Sequence, residues 1–270
     1  VVTNRNTFRA DRVILCAGSK AAPVTGSDGA GYDLAKKLGH SILPVLPALT
    51  ALRCEGKFFK SIAGVRVYGT AAVWSEGECI AKDTGEIQIT DYGISGIPVF
   101  QVSRYASKLL YEGKEAEAVL NFMPDFTKEQ MKAFLRSRAE TRPEKRTDMF
   151  LIGLFHKKLC DLWCRMSKIP GEKPAGELTD EELVRLTSLI MEFRVRIAGT
   201  NSFDKAQVCC GGVDTSEVSP GTMESVYVPG LYFAGEILDV DGMCGGYNLT
   251  FAWASGYAAG RAAAMNRPYE

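Results

Sequence analysis

The last forty residues constrain this chain most. The apolar run Leu231 to Ala234 stops at Gly235-Glu236, a glycine-rich loop leads to Gly245-Gly246, and from Tyr247 to Gly260 an Ala/Gly-rich segment carries no charge. A short apolar run closed by glycine reads as a buried strand and the longer segment as a helix, so the stretch predicts strand, loop, helix. A glycine pair directly before a helix brings backbone N–H groups and the positive end of the helix dipole close to whatever lies above the loop. That arrangement suits an anion or an electron-rich ring. Gly256 and Gly260, four apart, also predict a helix face lying close against a sheet. Asn248, Thr250, Ser255 and the repeated glycines make the run too polar for a membrane span.

A second buried-type strand, Val13 to Cys16, is stopped by Ala17-Gly18, where glycine permits close backbone approach. A short helix from Asp33 ends at Gly39 in the C′ position. The glycines before it, Gly26-x-x-Gly29-x-Gly31, run in the wrong order for the dinucleotide fingerprint, and no G-x-G-x-x-G occurs anywhere in the chain.

Between Leu49 and Val102 the pattern turns to short β runs: Ala51 to Cys54, Val65 to Trp74, Cys79 to Lys82 and Glu86 to Thr90. Turns at Ser75 to Glu78 and at Asp83-Thr-Gly85 separate them, which predicts an antiparallel meander or barrel. In Thr90 to Gln101, two glycines and Pro98 argue against a regular central strand. Residues 103–191 read as mostly helical, with capping boxes at Thr127/Gln130 and Thr179/Glu182. Met149 to Met166 is apolar almost all round and is expected to pack centrally. Arg194 to Ala198 and Ala206 to Cys210 resume the β pattern and are expected to complete the β domain.

A chain of 270 residues can bury about three quarters of its unfolded surface in one or two domains. Its 32 basic and 32 acidic residues cancel, which points to a small-molecule partner and to neither nucleic acid nor a membrane. The charges from Arg136 to Arg146 read as a solvated helix end. Eight cysteines in a chain of this size read as reduced thiols. No export signal opens the sequence, so a cytoplasmic location is expected. Val1 in place of Met makes the chain read as an excised piece.

Two histidines, His40 and His156, leave little material for a metal site or a Ser-His-Asp triad, and no metal ligands are assigned. Cys160 and Cys164, like Cys209 and Cys210, read as core thiols. Cys244, just before Gly245-Gly246, is weighed as a redox thiol but has no Cys-x-x-Cys partner. No catalytic residue is identified.

The strings Gly230-Leu-Tyr-Phe-Ala-Gly-Glu-Ile-Leu-Asp-Val-Asp-Gly, Gly245-Gly-Tyr-Asn-Leu and Ala252-Trp-Ala-Ser-Gly closely resemble the C-terminal signature of the YhiN/BaiN-type FAD-dependent flavoproteins. The resemblance covers essentially the whole chain. It departs at Thr90 to Gln101, where the family often has His in place of Asp91 or Tyr92 and has Pro directly after glycine.

The resemblance implies FAD, with Glu236 near the ribityl chain, Gly245, Gly246, Tyr247, Asn248 and Leu249 facing the isoalloxazine ring, and Ala17, Gly18 and Gly235 alongside. It implies an α/β plus β-barrel plus α architecture. Residues 1–47 and 229–270 would form a partial two-dinucleotide-binding (FAD) domain. Nested within it would be an antiparallel β domain (48–103 and 192–228), itself interrupted by a helical insert (104–191). The family's N-terminal βαβ unit has no counterpart, so FAD binding by this chain is expected to be weak or absent.

The implied activity is NAD(P)H-linked reduction of an enone-like or other small organic substrate, in a family that includes reductases of unsaturated oxo bile acids and proteins named aminoacetone oxidases. The alternative is a non-catalytic substrate-recognition module of a flavoprotein.

Overall fold

The computed structural model of the chain describes residues 1–265. In chain order the regular elements are β1 (Val13–Leu15), α1 (Ala30–Lys37), β2 (Leu46–Ala48), β3 (Leu52–Cys54), α2 (Phe59–Ile62), β4 (Arg66–Ser75), β5 (Glu78–Thr90), β6 (Gly93–Ser95), α3 (Ile97–Tyr111), β7 (Glu117–Asn121), α4 (Lys128–Thr141), α5 (Thr147–Phe150), α6 (Lys157–Met166), α7 (Asp180–Met191), β8 (Phe193–Thr200), β9 (Val208–Cys210), β10 (Leu231–Phe233) and α8 (Tyr247–Met265). They divide into two compact units, Val1–Leu49 with Asn201–Glu270, and Thr50–Thr200. Residues 266–270, the end of the expected outer domain, lie outside the described residues.

In the first unit β1 and β10 pair in parallel, Val13 opposite Leu231 and Leu15 opposite Phe233. All three β10 side chains are buried, as expected of an apolar run covered on both faces. Helix α1 approaches this pair at Gly31, where a Cβ would lie 2.8 Å from Ile237 and 2.9 Å from Ala17. Helix α8 lies on the pair through Ser255 and Ala259, which are 4% and 0% exposed. The expectation that Gly256 and Gly260 form that close face is corrected, since a Cβ at either would meet nothing within 4 Å. The narrow face is one residue earlier in each turn, where a hydroxyl and a methyl already fit.

A second small sheet in this unit pairs β2 with β9 in antiparallel fashion, Leu46 opposite Cys210. The reading that Ala206 to Cys210 completes the β domain is therefore corrected. Only β8 returns to that domain, and residues 201–228 belong with the outer unit.

The second unit is an antiparallel sheet in the order β3-β6-β5-β4-β7-β8. It closes on itself because β3 pairs with both β6 and β8. Strand β5 runs straight through Asp83-Thr84-Gly85, where a turn was expected. Gly85 stands opposite Gly69, and the hydroxyls of Thr84 and Thr70 bond at 2.7 Å. With no side chains at that pair, Pro98 of α3 can lie over Gly85, and the Asn121 carbonyl can come within 2.5 Å of where a Gly69 Cβ would be.

The segment Gly93–Ser95 forms β6 between β3 and β5, a central strand where the sequence argued against one. Gly93 is required there, for its φ is +154° and a Cβ would fall 2.2 Å from the Leu52 carbonyl oxygen.

Strand β7 lies inside the stretch expected to be a helical insert and belongs to the barrel. The second half of α3 and helices α4 to α7 are the helical parts of that stretch. Both capping boxes are in place, at Thr127/Gln130 and Thr179/Glu182. The apolar run Met149 to Met166 breaks into α5 and α6 around Gly153, whose φ is +98°, and places Trp163 fully in the core.

Candidate functional site

The parallel pairing of β1 and β10 brings the ends of two strands, far apart in sequence, side by side, and Ala234 N–H donates to the Leu15 carbonyl at 3.2 Å. Each strand then turns on a glycine in the left-handed region, Gly18 at φ +77° and Gly235 at φ +74°. Ser19 and Glu236, the residues just beyond, meet: the Ser19 hydroxyl donates to Glu236 Oε2 at 3.0 Å. Ser19 is 1% exposed and Glu236 half-buried. Burial raises the Glu236 carboxyl above its ordinary pKa, and the Ser19 bond only partly opposes this.

Two further groups face this carboxyl region. The Tyr32 hydroxyl, from α1, reaches the Glu236 backbone carbonyl at 3.5 Å. Burial, then the neighbouring Cys209, Glu236 and Asp239, raise the pKa of the phenol and keep it protonated. Burial likewise raises the Cys209 thiol, although bonds with Ser19 and the backbone of Lys20 and Ala21 oppose it. At neutral pH both are neutral donors. The first unit therefore holds one half-buried carboxyl framed by Ser19, Tyr32 and Cys209, three residues that sequence reasoning missed. Ser19 could have been found as the residue after the strand-ending glycine, but nothing local marks Tyr32 or Cys209.

Helix α8 lies against the same strand end through its second and third turns. Gly235 N–H donates to Ser255 Oγ at 3.0 Å, and a Cβ on Gly235 would sit 3.8 Å from that of Ala252. Gly245 and Gly246 have φ of +124° and +96°, and the space at a Gly246 Cβ is empty. Thr250 N–H makes the first bond of the helix, to Gly246 O at 3.0 Å. The preceding amides, Tyr247 to Leu249, have no partner among the described residues, and the Tyr247 and Leu249 side chains are 58% and 60% exposed. Asn248 differs from expectation: its amide clamps Gly242, accepting from the N–H at 2.7 Å and donating to the carbonyl at 3.1 Å. Its side chain shapes the loop and is occupied there.

A second buried network joins His40, Glu217 and Ser225, each less than 10% exposed. His40 Nδ1 lies 3.1 Å from Glu217 Oε2 and Nε2 lies 2.8 Å from Ser225 Oγ. The order resembles a hydrolytic triad, but Ser225 Oγ already accepts from Tyr227 N–H at 3.1 Å and Val228 N–H at 2.9 Å. With both lone pairs engaged, the hydroxyl proton turns to Nε2, Nδ1–H faces Glu217, and no lone pair is left for attack. The network braces the loop after β9. Burial would raise the Glu217 carboxyl, but bonds from Ser41 N–H and His40 outweigh it and hold it below the ordinary range.

Among the described residues no group of three His, Cys, Asp or Glu is placed to hold a metal ion, and no helix is long and apolar enough to cross a membrane. All eight cysteines are free thiols.

A family model described as HI0933-like protein Rossmann domain matches residues 1–262. The chain is 48% identical over 257 residues to the 3-dehydro-bile acid delta(4,6)-reductase of Clostridium scindens, covering 95% of this chain and 63% of that protein. It is 29% identical to the ribosomal RNA dihydrouridine synthase of Escherichia coli, covering 94% of this chain and 61% of that protein. The protein of that name from Haemophilus influenzae is 30% identical, over the same shares of each chain. The chain thus spans between 61% and 63% of the length of these curated relatives.

Proposed function

The chain belongs to the HI0933-like Rossmann family, and from that premise we propose that it is part of an FAD-dependent oxidoreductase that reduces a carbon–carbon double bond conjugated to a carbonyl. The observation that carries the reading is the Glu236 carboxyl, held by Ser19 at the paired ends of β1 and β10, with α8 packed on the same strand end through Ser255. A half-buried acceptor matches the hydroxyls of a ribityl chain. The open glycine turn at Gly245-Gly246 admits a flat ring without a side-chain clash, and the unpartnered amides favour electron density on that ring.

When bound, FAD supplies the two-electron redox chemistry, with NAD(P)H as the proposed source of electrons. The chain's own residues then position and shield. Glu236 and the helix start orient the ring and ribityl end, Gly18 and Gly235 let the backbone come close, and Tyr32 and Cys209 stay protonated as neutral donors. Ala17 lies behind them, packed toward Gly31.

The substrate class follows from the chemistry that two relatives' names share. A 3-oxo steroid with a delta-4 double bond is an enone, and the C5=C6 bond that dihydrouridine lacks is conjugated to the uracil carbonyl. Both reactions saturate the same kind of bond, so an enone-like small molecule is the first reading, favoured by the 48% relative. A uracil base in ribosomal RNA is the second, and neutral overall charge does not remove it.

The test is made on the full-length gene product, reconstituted with FAD under anaerobic conditions with NADH or NADPH. Loss of absorbance at 340 nm on adding an unsaturated 3-oxo steroid, but not its saturated counterpart, supports the first substrate. Dihydrouridine formed in RNA with the steroid inert would replace it with the second. Failure to retain any flavin absorbance would overturn the flavoprotein reading itself.

A further inference from the structure

The helical part of the second unit contains a cavity of about 500 Å3 at the C-terminal end of α4, lined by Phe134, Ser137, Arg138, Arg142, Lys145 and Phe150 among others, with no acidic side chain. We propose that this cavity binds a small polyanion, a phosphorylated molecule of nucleotide size. The proposal does not depend on the flavin reading.

The cations around it are in two different states. Away from the cavity they are paired: Lys132 and Arg136 with Asp180, and Arg146 with Asp148 at 2.6 Å. Inside it they are not. Arg138 is fixed by its Nε on the Phe150 carbonyl at 2.7 Å and its Nη2 on the Ile152 carbonyl at 3.0 Å, leaving Nη1 unbonded. The side chains of Arg142 and Lys145 have no hydrogen-bond or ion-pair partner among the described residues.

Basic residues are favoured near a helix C-terminus because they complement its carbonyls. Neither Arg142 nor Lys145 bonds one, so capping does not account for them. Three like charges lining one concavity repel each other, and an oxyanion bound there relieves that repulsion.

Size and charge narrow the ligand. The volume falls in the small-molecule range of roughly 300 to 1,000 Å3. Three cations with no counter-acid match a ligand carrying two or three negative charges, which a single carboxylate does not supply. The ring of Phe134, half-buried at the wall, offers a face for a base. A nucleic-acid strand would call for cations spaced along a backbone, whereas these meet in one place.

Calorimetric titration of the chain with ADP tests this, using Arg142→Ala with Lys145→Ala as the double variant and Arg66→Ala, from β4, as control. ADP is expected to bind saturably at one site and to be weakened at least ~10-fold in the double variant but not in the control. The thermal midpoint should be unchanged, because neither lost side chain makes a bond. Absence of saturable ADP binding would overturn the proposal, as would equal binding by the double variant. Tight, salt-sensitive binding of single-stranded RNA that ADP does not displace would also overturn it.

Discussion

At the scale of single residues, two carboxylates in the first unit respond to pH in opposite directions. Glu236 has its pKa raised by burial, so its folded-state value lies above its unfolded one. The stability it contributes is present below the ordinary carboxylate range and lost as pH rises through the raised value. Glu236→Gln removes the charge and keeps an acceptor for Ser19. Its thermal midpoint should exceed that of the parent by about 2–4 °C at pH 7.5, with the gap closing toward pH 4. Glu217 is the reverse case, its pKa held down by Ser41 and His40 against burial. Its contribution is present above the ordinary carboxylate range and lost as pH falls through the depressed value. His40→Ala should cost about 2–3 kcal/mol at pH 7.5, because Glu217 and Ser225 stay buried with a partner missing. Denaturant unfolding should show that loss shrinking as the pH is lowered and Glu217 in the variant takes up a proton.

At the scale of elements, local signals read true and glycines did not. Both capping boxes involve residues three apart, so the sequence alone contains the whole arrangement. Gly93 and the Gly69–Gly85 pair answer to partners on other strands, and the same residue type that marks a turn also marks a crowded strand. Gly93→Ala sets a Cβ 2.2 Å from the Leu52 carbonyl at a φ of +154°. The substitution should destabilise the second unit by about 3 kcal/mol or more, measured by the fluorescence of buried Trp163 in denaturant. The glycines of α8 should behave oppositely. Gly256→Ala and Gly260→Ala meet open space, so helix propensity decides, and each should raise the stability of the first unit by about 0.5–1 kcal/mol, measured by denaturant unfolding followed by circular dichroism at the helix band. A loss of stability at either would reinstate the close packing that the i, i+4 spacing suggested.

At the scale of the whole chain, the alternation of outer and inner segments was visible in sequence because the pattern turns to short β runs near Leu49, but the return to the outer unit was expected at residue 229 and comes near Thr200. The assignment of residues 201–228 was not, since β9 has the same apolar character whether it joins the barrel or pairs with β2. The candidate site was half legible. Gly18, Gly235 and Glu236 stand at strand ends that local pattern reveals, and the resemblance to a flavoprotein family gave them a role. Ser19, Tyr32 and Cys209 come from three separate segments, and only the pairing of β1 with β10, the seating of α1 and the pairing of β9 with β2 bring them to one carboxyl.

The central claim is that the strand ends and the start of α8 form the ring and ribityl end of a flavin site. Riboflavin tests it most directly, because it has that end of FAD and no phosphate. Titrated against the 270-residue chain and followed by quenching of flavin fluorescence, it should bind saturably but weakly, in keeping with the weak FAD binding expected of this chain. Glu236→Ala should weaken it by about tenfold, the value of one hydrogen bond to a charged group, and Glu236→Gln should weaken it less. Absence of saturable quenching, or equal affinity in the parent and Glu236→Ala, would contradict the account.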